Sequence, residues 1–308
     1  MNWKNSPTYY SSKSNASPAT SRYIAAGIAV LAMLLFPICE ALAKSLANQV
    51  PAVVIVWVRF FGSAVLITPI YLRHLRKNPQ LPAARSVVIE TLRALIIIVA
   101  FGSFITSFRT IPFSEAMTYY SFAPIVAATL SVWILKEKMT QIKMFALVLG
   151  LAGVTIALNP RVSPEIGAYF AILTGALYGS YLFLNRVVAI RWHPIQALFL
   201  QFWIGSVLLL WWVWPYLNAE LLVHVPKLAG IAGVSVICNI MLINAFRLAE
   251  ASFLAPFIYV EIPSALVISV IFFNETLSWN LLLGAGMILC AGLLVVMRNP
   301  NTPAHKGA

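Results

Sequence analysis

The chain has no aspartate. Its whole acidic complement is nine glutamates, and charged residues of both signs make up only 10% of 308 positions. Ordinary soluble domains carry about 25% charged residues, so this composition excludes a water-covered globule. Cysteine is scarce too. Cys39, Cys238 and Cys290 lie in three separate apolar stretches, a spacing that gives neither a disulfide framework nor a metal site. The four histidines, His74, His193, His224 and His305, fall in polar links or the tail. No HExxH, GxSxG or P-loop pattern occurs, which removes the sequence basis for hydrolytic, metal or ATP-driven chemistry. No cofactor and no metal are expected.

What fills the chain instead is apolar. Hydrophobic residues make up 61%, and the mean hydropathy is +0.87. Ten apolar runs cover 23–45, 51–71, 87–108, 114–135, 142–158, 167–189, 195–217, 228–249, 252–273 and 280–297. A bilayer core takes a helix of roughly 20 apolar residues, so the pattern predicts an all-α integral membrane protein with ten transmembrane helices. The links are too short to be domains. Pro51, Pro112 and Pro194 stand at or near helix starts, where a missing N–H is harmless. Thr140 and Ser278 are placed to cap the fifth and tenth spans. Residues 1–22, rich in Ser, Asn and Tyr, read as a disordered cytosolic tail, and 298–308 as a second tail.

The net charge of +12 could point to nucleic acid in a soluble protein. Here the basic residues lie between apolar runs, so membrane topology and anionic lipid headgroups account for them. With the N-terminus in the cytosol, fifteen Lys and Arg fall inside and three outside (Arg109, Arg161 and Lys227). Lys44, Arg59 and Arg93 lie within spans. This bias predicts that both termini are cytosolic.

The chain also repeats itself. Pro51, Gly62 and Leu66 are answered by Pro194, Gly205 and Leu209. Phe108-Arg109 is answered by Phe246-Arg247, Tyr120 and Pro124 by Tyr259 and Pro263, and Glu137 and Thr140 by Glu275 and Ser278. The offset stays between 138 and 143. Five spans per copy is an odd number, so the copies 23–158 and 167–297 face opposite ways across the membrane. Inverted repeats of this kind build secondary transporters with a substrate site near the midplane.

The stretch KSLANQVPAVVIVWVRF from Lys44 to Phe60, Ala123-Pro124, the Leu135-Lys136-Glu137-Lys138 exit, LVLGLAGVTIAL and GAYFAILTGALYGSYLFLNR carry a resemblance. They resemble the EamA family of the drug/metabolite transporter superfamily, over about residues 24–297. The resemblance implies two inverted five-helix repeats and transport of a small organic metabolite. PAVVIVWVRF is similar to members that move riboflavin or related compounds. Two positions depart from the family pattern. Lys136 and Asn274 stand where a glycine usually precedes the glutamate at the exit of the fourth and ninth spans.

Charges at mid-depth cost at least ~2.5–3.5 kcal/mol each, so each needs a reason. Arg59 lies eight residues past Pro51, on the order of 12 Å in. Glu261 lies in the ninth span between Pro256 and Pro263, where freed carbonyls suit a cavity wall. Glu261 is therefore a candidate substrate or proton residue, with Arg59 as its partner or a substrate anchor. The alternative is a purely structural neutralisation of the two.

Glu40 and Lys44, one turn apart, are placed to pair, with Lys44 also able to snorkel outward. Glu90 and Arg93 read as a structural pair near the cytosolic side. Of the aromatic and amide residues at depth, Tyr120, Tyr259 and Trp57 are candidates for lining the cavity, against a reading as packing. The resemblance puts Tyr120 and Tyr259 on facing central helices. Glu137 and Glu275 read as caps of the helices that follow them.

The expected protein is a carrier of the inner membrane working by alternating access, with bundles formed from the two halves. It is not expected to be an enzyme. Its partners are the bilayer and a small neutral, zwitterionic or ring-bearing substrate such as an amino acid or vitamin, and not nucleic acid. Proton coupling through Glu261 or Glu40 and facilitated exchange both stay open. A lipid flippase or scramblase, a drug exporter, and less so a membrane enzyme are the alternatives.

Overall fold

A chain poor in charge can enter lipid only if its backbone bonds to itself, and helices do that within one segment. The computed structural model describes residues 18–77, 84–135, 141–157, 165–189, 194–248, 257 and 259–297. Every long regular element among them is an α-helix: α1 (Pro18–Leu46), α2 (Ala52–Lys77), α3 (Ala84–Ser107), α4 (Phe113–Tyr120), α5 (Ala123–Leu135), α6 (Gln141–Ala157), α7 (Ile166–Ala189), α8 (Pro194–Val213), α9 (Val225–Leu248), α10 (Glu261–Phe273) and α11 (Trp279–Met297). Short 3₁₀ turns, Trp214–Tyr216 and Ala219–His224, join α8 to α9. Six helices are long and apolar enough to cross a membrane by themselves, and α6, α10 and α11 contribute shorter apolar segments.

The element ends follow local chemistry. The Pro51 carbonyl accepts the first amides of α2, from Val54 and Ile55. Pro112 stands at the N-cap of α4, and Ser278 Oγ accepts the Leu281 N–H at the start of α11. α1 begins at Pro18, inside the segment expected to be a tail. Thr140, Glu137 and the two tails beyond α1 and α11 lie outside the described residues.

The span expected over 114–135 is not one helix. α4 stops at Tyr120, two residues turn, and α5 restarts at Ala123. Pro124 has no N–H to offer the Tyr120 carbonyl four residues back, so the ladder breaks there. Tyr259 also stands four residues before a proline. Its carbonyl accepts the Ile262 N–H at 3.1 Å, and α10 starts at Glu261 with Pro263 in its first turn. Tyr120 thus ends a helix, and Tyr259 stands just before the start of one.

The packing interleaves the two sequence halves. α1 lies along α9, α2 rests on α9, and α10 rests on α1, forming one group of helices. α3 lies along α7 and α8, and α4 and α5 rest on α7, forming the other. α2 meets α8 in the seam between the groups, and α6 lies along α11. The expectation of one bundle per sequence half is therefore corrected. Separating the halves would tear apart the main interfaces, because each of them joins a helix of one half to a helix of the other.

Glycine permits the closest of these approaches. A Cβ at Gly153 of α6 would stand 2.8 Å from the Gly284 carbonyl oxygen of α11, and one at Gly284 would stand 2.6 Å from the Ala157 Cβ. Backbones can meet this closely only where both side chains are absent.

Candidate functional site

Three charged side chains lie deep between the two groups. Glu40 of α1 is completely buried, and Arg59 of α2 and Glu261 of α10 are nearly so. Arg59 Nη1 donates to Glu40 Oε1 at 2.7 Å, and its Nε donates to Ser235 Oγ of α9 at 3.1 Å. The guanidinium carbon lies 3.8 Å from the centroid of the Phe101 ring of α3 and 5.3 Å from that of Phe36 of α1. A weakly hydrated planar cation is well suited to being clamped between a carboxylate and ring faces. Glu261 is within electrostatic range of Glu40 and Arg59. It is also within range of the Tyr120 and Tyr178 hydroxyls. Among the described residues, Glu40 Oε2, Glu261 Oε1 and Ser63 Oγ are buried with no hydrogen-bond partner.

The site divides by chemistry. Glu40, Arg59, Ser235 and Glu261 all belong to the α1–α2–α9–α10 group. The opposite wall is aromatic and belongs to the other group. Tyr120 of α4 lies 5.1 Å from Tyr178 of α7, centroid to centroid, and Tyr178 lies 5.8 Å from Tyr181. Tyr181 Oη donates to Gln201 Oε1 of α8 at 3.0 Å. A charged face thus meets a ring-lined face across the plane where the groups join.

Several sequence expectations change here. Arg59 takes Glu40, not Glu261, as its ion-pair partner. Glu40 does not pair with Lys44, because helix spacing alone could not reveal a carboxylate drawn to Arg59 on the neighbouring helix. Of the six candidate residues, Glu40, Arg59, Glu261 and Tyr120 come together. Tyr259 does not join them: it is buried in an apolar cluster with Phe122, Ile125 and Ile262. Trp57 lies in the α2–α8 seam, donating Nε1–H to the Ser206 carbonyl at 3.1 Å and stacking on Phe61. Ser235, Phe101 and Gln201 went unnoticed in the sequence. Gln201 alone had a signal, as an amide inside an apolar run.

Two further clusters flank the centre. Glu90 and Arg93 of α3 pair at 2.5 Å as expected, and Arg93 also reaches Asn185 of α7. At the other end of the bundle Glu275 gathers four donors. Lys44 Nζ lies 2.7 Å from Oε1, the Phe113 and Ser114 amides 2.5 and 2.9 Å from the carboxylate, and Ser114 Oγ 2.8 Å from Oε2. Glu275 therefore caps α4, not the helix that follows it. Asn274 makes this reach feasible. It ends α10 in the left-handed conformation, φ 51°, which glycine or asparagine adopts readily, so it fills the role of the family's usual glycine. Burial works against the Glu275 charge, but the Lys44, Ser114 and Phe113 donors outweigh it and hold the carboxyl below its ordinary value.

The model of the EamA-like transporter family matches this chain twice in succession, over residues 23–159 and 165–297. The chain belongs to the EamA-like transporter family. Relatives of this EamA protein are named as transporters. It is 23% identical over 286 residues to an S-adenosylmethionine uptake transporter of Rickettsia prowazekii, covering 90% of this chain and 94% of the relative. It is 27% identical over 287 residues to an uncharacterized transporter of Helicobacter pylori, covering 87% of this chain and 93% of that one. A crystal structure of a protein 15% identical in sequence matches with a TM-score of 0.59, over 91% of this chain and 98% of the other, which shows a shared fold. The EamA chain is thus a multi-pass membrane protein of a transporter family.

Proposed function

We propose that this protein is a secondary transporter of the inner membrane that carries a small, ring-bearing, positively charged metabolite by alternating access. The observation behind the reading is the imbalance at the centre. Two buried carboxylates face one guanidinium, and each carboxylate keeps an unpartnered oxygen. A buried unpaired acid calls for a cation, and a substrate or a proton can supply it. The rings of Tyr120, Tyr178 and Phe101 opposite the acids suit a planar heterocycle. S-adenosylmethionine, the substrate in the names of several relatives, has this chemistry. It has a purine ring, an amino-acid end and a sulfonium charge.

Ten transmembrane helices in two inverted five-helix repeats, with both termini cytosolic, complete the reading. The tandem family match supports it. The neighbour pattern supports it too: exchanging the copies turns the α1–α9 contact into α7–α3 and leaves α2–α8 and α6–α11 unchanged. In this arrangement the rocking bodies are the two mixed groups, each drawing helices from both halves, and the site lies between them. Gradients supply the energy, and the protein does no covalent chemistry. Among the described residues, the buried charges Glu40, Arg59 and Glu261 converge at the centre, which favours a soluble substrate over a lipid.

A thermal-shift titration of the detergent-purified protein tests this, since ligands of the folded state raise its apparent stability. S-adenosylmethionine is expected to raise Tm, and its thioether analogue S-adenosylhomocysteine, which lacks the sulfonium charge, to raise it much less. Equal shifts would refute the cationic site. No shift from either would refute this substrate class.

A further inference from the structure

Glu275 is bound more fully than a helix cap requires. The loop after α10 projects it across the boundary between the two helix groups. Lys44, its ion partner, stands at the end of α1, in the same group as α10. The Phe113 and Ser114 amides and the Ser114 hydroxyl stand at the start of α4, in the opposite group. Lys44 also lies over the Phe273 ring, 4.9 Å from its centroid, so the ammonium is fixed on the α10 side. Phe273 in turn lies 5.4 Å from Phe113, ring to ring, across the same boundary. One carboxylate thus joins two groups at one end of the molecule, and an aromatic pair seals beneath it. The charge bias puts this end outside, because α1 runs outward from a cytosolic N-terminus.

We infer that Glu275, held by Lys44, is the outer latch of the transport cycle. It bonds the start of α4 while the outer side is shut and releases it when the site opens outward. This rests on the alternating-access reading above. The geometry explains why a latch and not a static cap is present. The donors on α4 are backbone amides and a hydroxyl, which water can replace when the groups part. The ammonium stays with the carboxylate, so its charge remains paired in the open state. A cap that served α4 alone would be supplied by its own chain at the N-cap. That position is Pro112, which makes no side-chain capping bond.

The test reads accessibility and needs no substrate. In a background with Cys39, Cys238 and Cys290 replaced by serine, single cysteines are placed at Met117 and at Gln201. Met117 lies one turn inside the latch on α4. Gln201 lies beyond the central rings toward the opposite end. Protein in nanodiscs is labelled with a membrane-impermeant maleimide. Adding Glu275→Ala is expected to raise the labelling rate at 117 at least tenfold and to lower it at 201, because the population shifts toward the outward-open form. Lys44→Met, which leaves the α4 bonds in place, is expected to act in the same direction more weakly and covers the case in which Glu275→Ala does not fold. Parallel increases at both positions would show a loosened fold, and no change at either would show an ornamental cap. Either result overturns the latch. A failure of the proposed substrate would appear in the ligand titration and would leave these rates untouched.

Discussion

Arg59 stacks on Phe101 with 3.8 Å between the guanidinium carbon and the ring centroid, while the same guanidinium bonds Glu40 at 2.7 Å. The first contact crosses from one helix group to the other, and the second stays within a group. The arginine is therefore both the counter-ion of the charged face and the point at which that face touches the aromatic one. In the proposed cycle Arg59 would keep its carboxylate and lose its ring when the groups part. The costly buried ion pair would then stay intact, and the contact that breaks would be one for which a substrate ring or water can substitute.

The α6–α11 contact gives the simplest stability prediction. Gly153→Ala would put a Cβ 2.8 Å from the Gly284 carbonyl oxygen and 3.0 Å from the Met287 Cβ. Backbone would have to move, so the variant is expected to lose about 1–3 kcal/mol, as overpacked cores do. Gly27→Ala and Gly102→Ala, where a Cβ would meet nothing within 4 Å, are expected to be neutral or to gain up to about 1 kcal/mol from helix propensity. Thermal melts of the three variants in one detergent decide it. Equal melting temperatures would mean that the helices do not approach this closely in the protein.

Much of the fold was legible in the sequence because lipid imposes simple rules. Run length marks the spans, and Pro and Ser mark their ends. Six of the helices are long and apolar enough to span unaided. Periodicity cannot report which helices touch. Glu40 has Lys44 one turn along its own helix, yet it bonds Arg59 of α2, and Lys44 bonds Glu275 far away in sequence. The repeat marked Tyr120 and Tyr259 as equivalent, since each stands four residues before a proline. Their surroundings differ because Phe122 stands two residues after the first and Glu261 two after the second. The aromatic wall was hardest to see. Phe101 looks like any other apolar residue until Arg59 is found beneath it.

Glu275 sets a pH dependence whose sign follows from its donors. Its carboxyl titrates below the ordinary 4.5 in the folded protein. A depressed carboxyl contributes stability that is fully present above its unfolded value and is lost as the pH falls through its folded one. Melting temperature is therefore expected to hold between pH 5 and 7 on account of this group and to drop below about pH 4.5 as the Lys44 and α4 bonds weaken. In Glu275→Gln the drop below pH 4.5 should shrink, and the plateau should sit lower. An unchanged acid limb in that variant would place the titrating group elsewhere.

Glu40 and Glu261 are two acids in one site, and they should respond differently to loss of charge. Glu40 is ion-paired with Arg59. Glu40→Gln strands a buried guanidinium, and removing one partner of a buried pair costs about 3–5 kcal/mol. Its folded yield and melting temperature should fall, whatever happens to transport. Glu261 has no ion-pair partner among the described residues, and its Oε1 is unpartnered. Glu261→Gln keeps the shape, removes a charge that nothing directly balances, and should leave yield and melting temperature intact. Function is where it should fail. The shift produced by S-adenosylmethionine should be lost at concentrations that saturate the wild type. If Glu261 also carries a proton with each cycle, uphill transport driven by a pH gradient should vanish while downhill exchange of a neutral analogue continues in proteoliposomes. The comparison is informative in each direction. Glu261→Gln with the same loss of yield as Glu40→Gln would make it a structural acid. Glu261→Gln with normal yield, a normal ligand shift and normal transport at every pH would remove it from the site, leaving Glu40 alone to meet the cation.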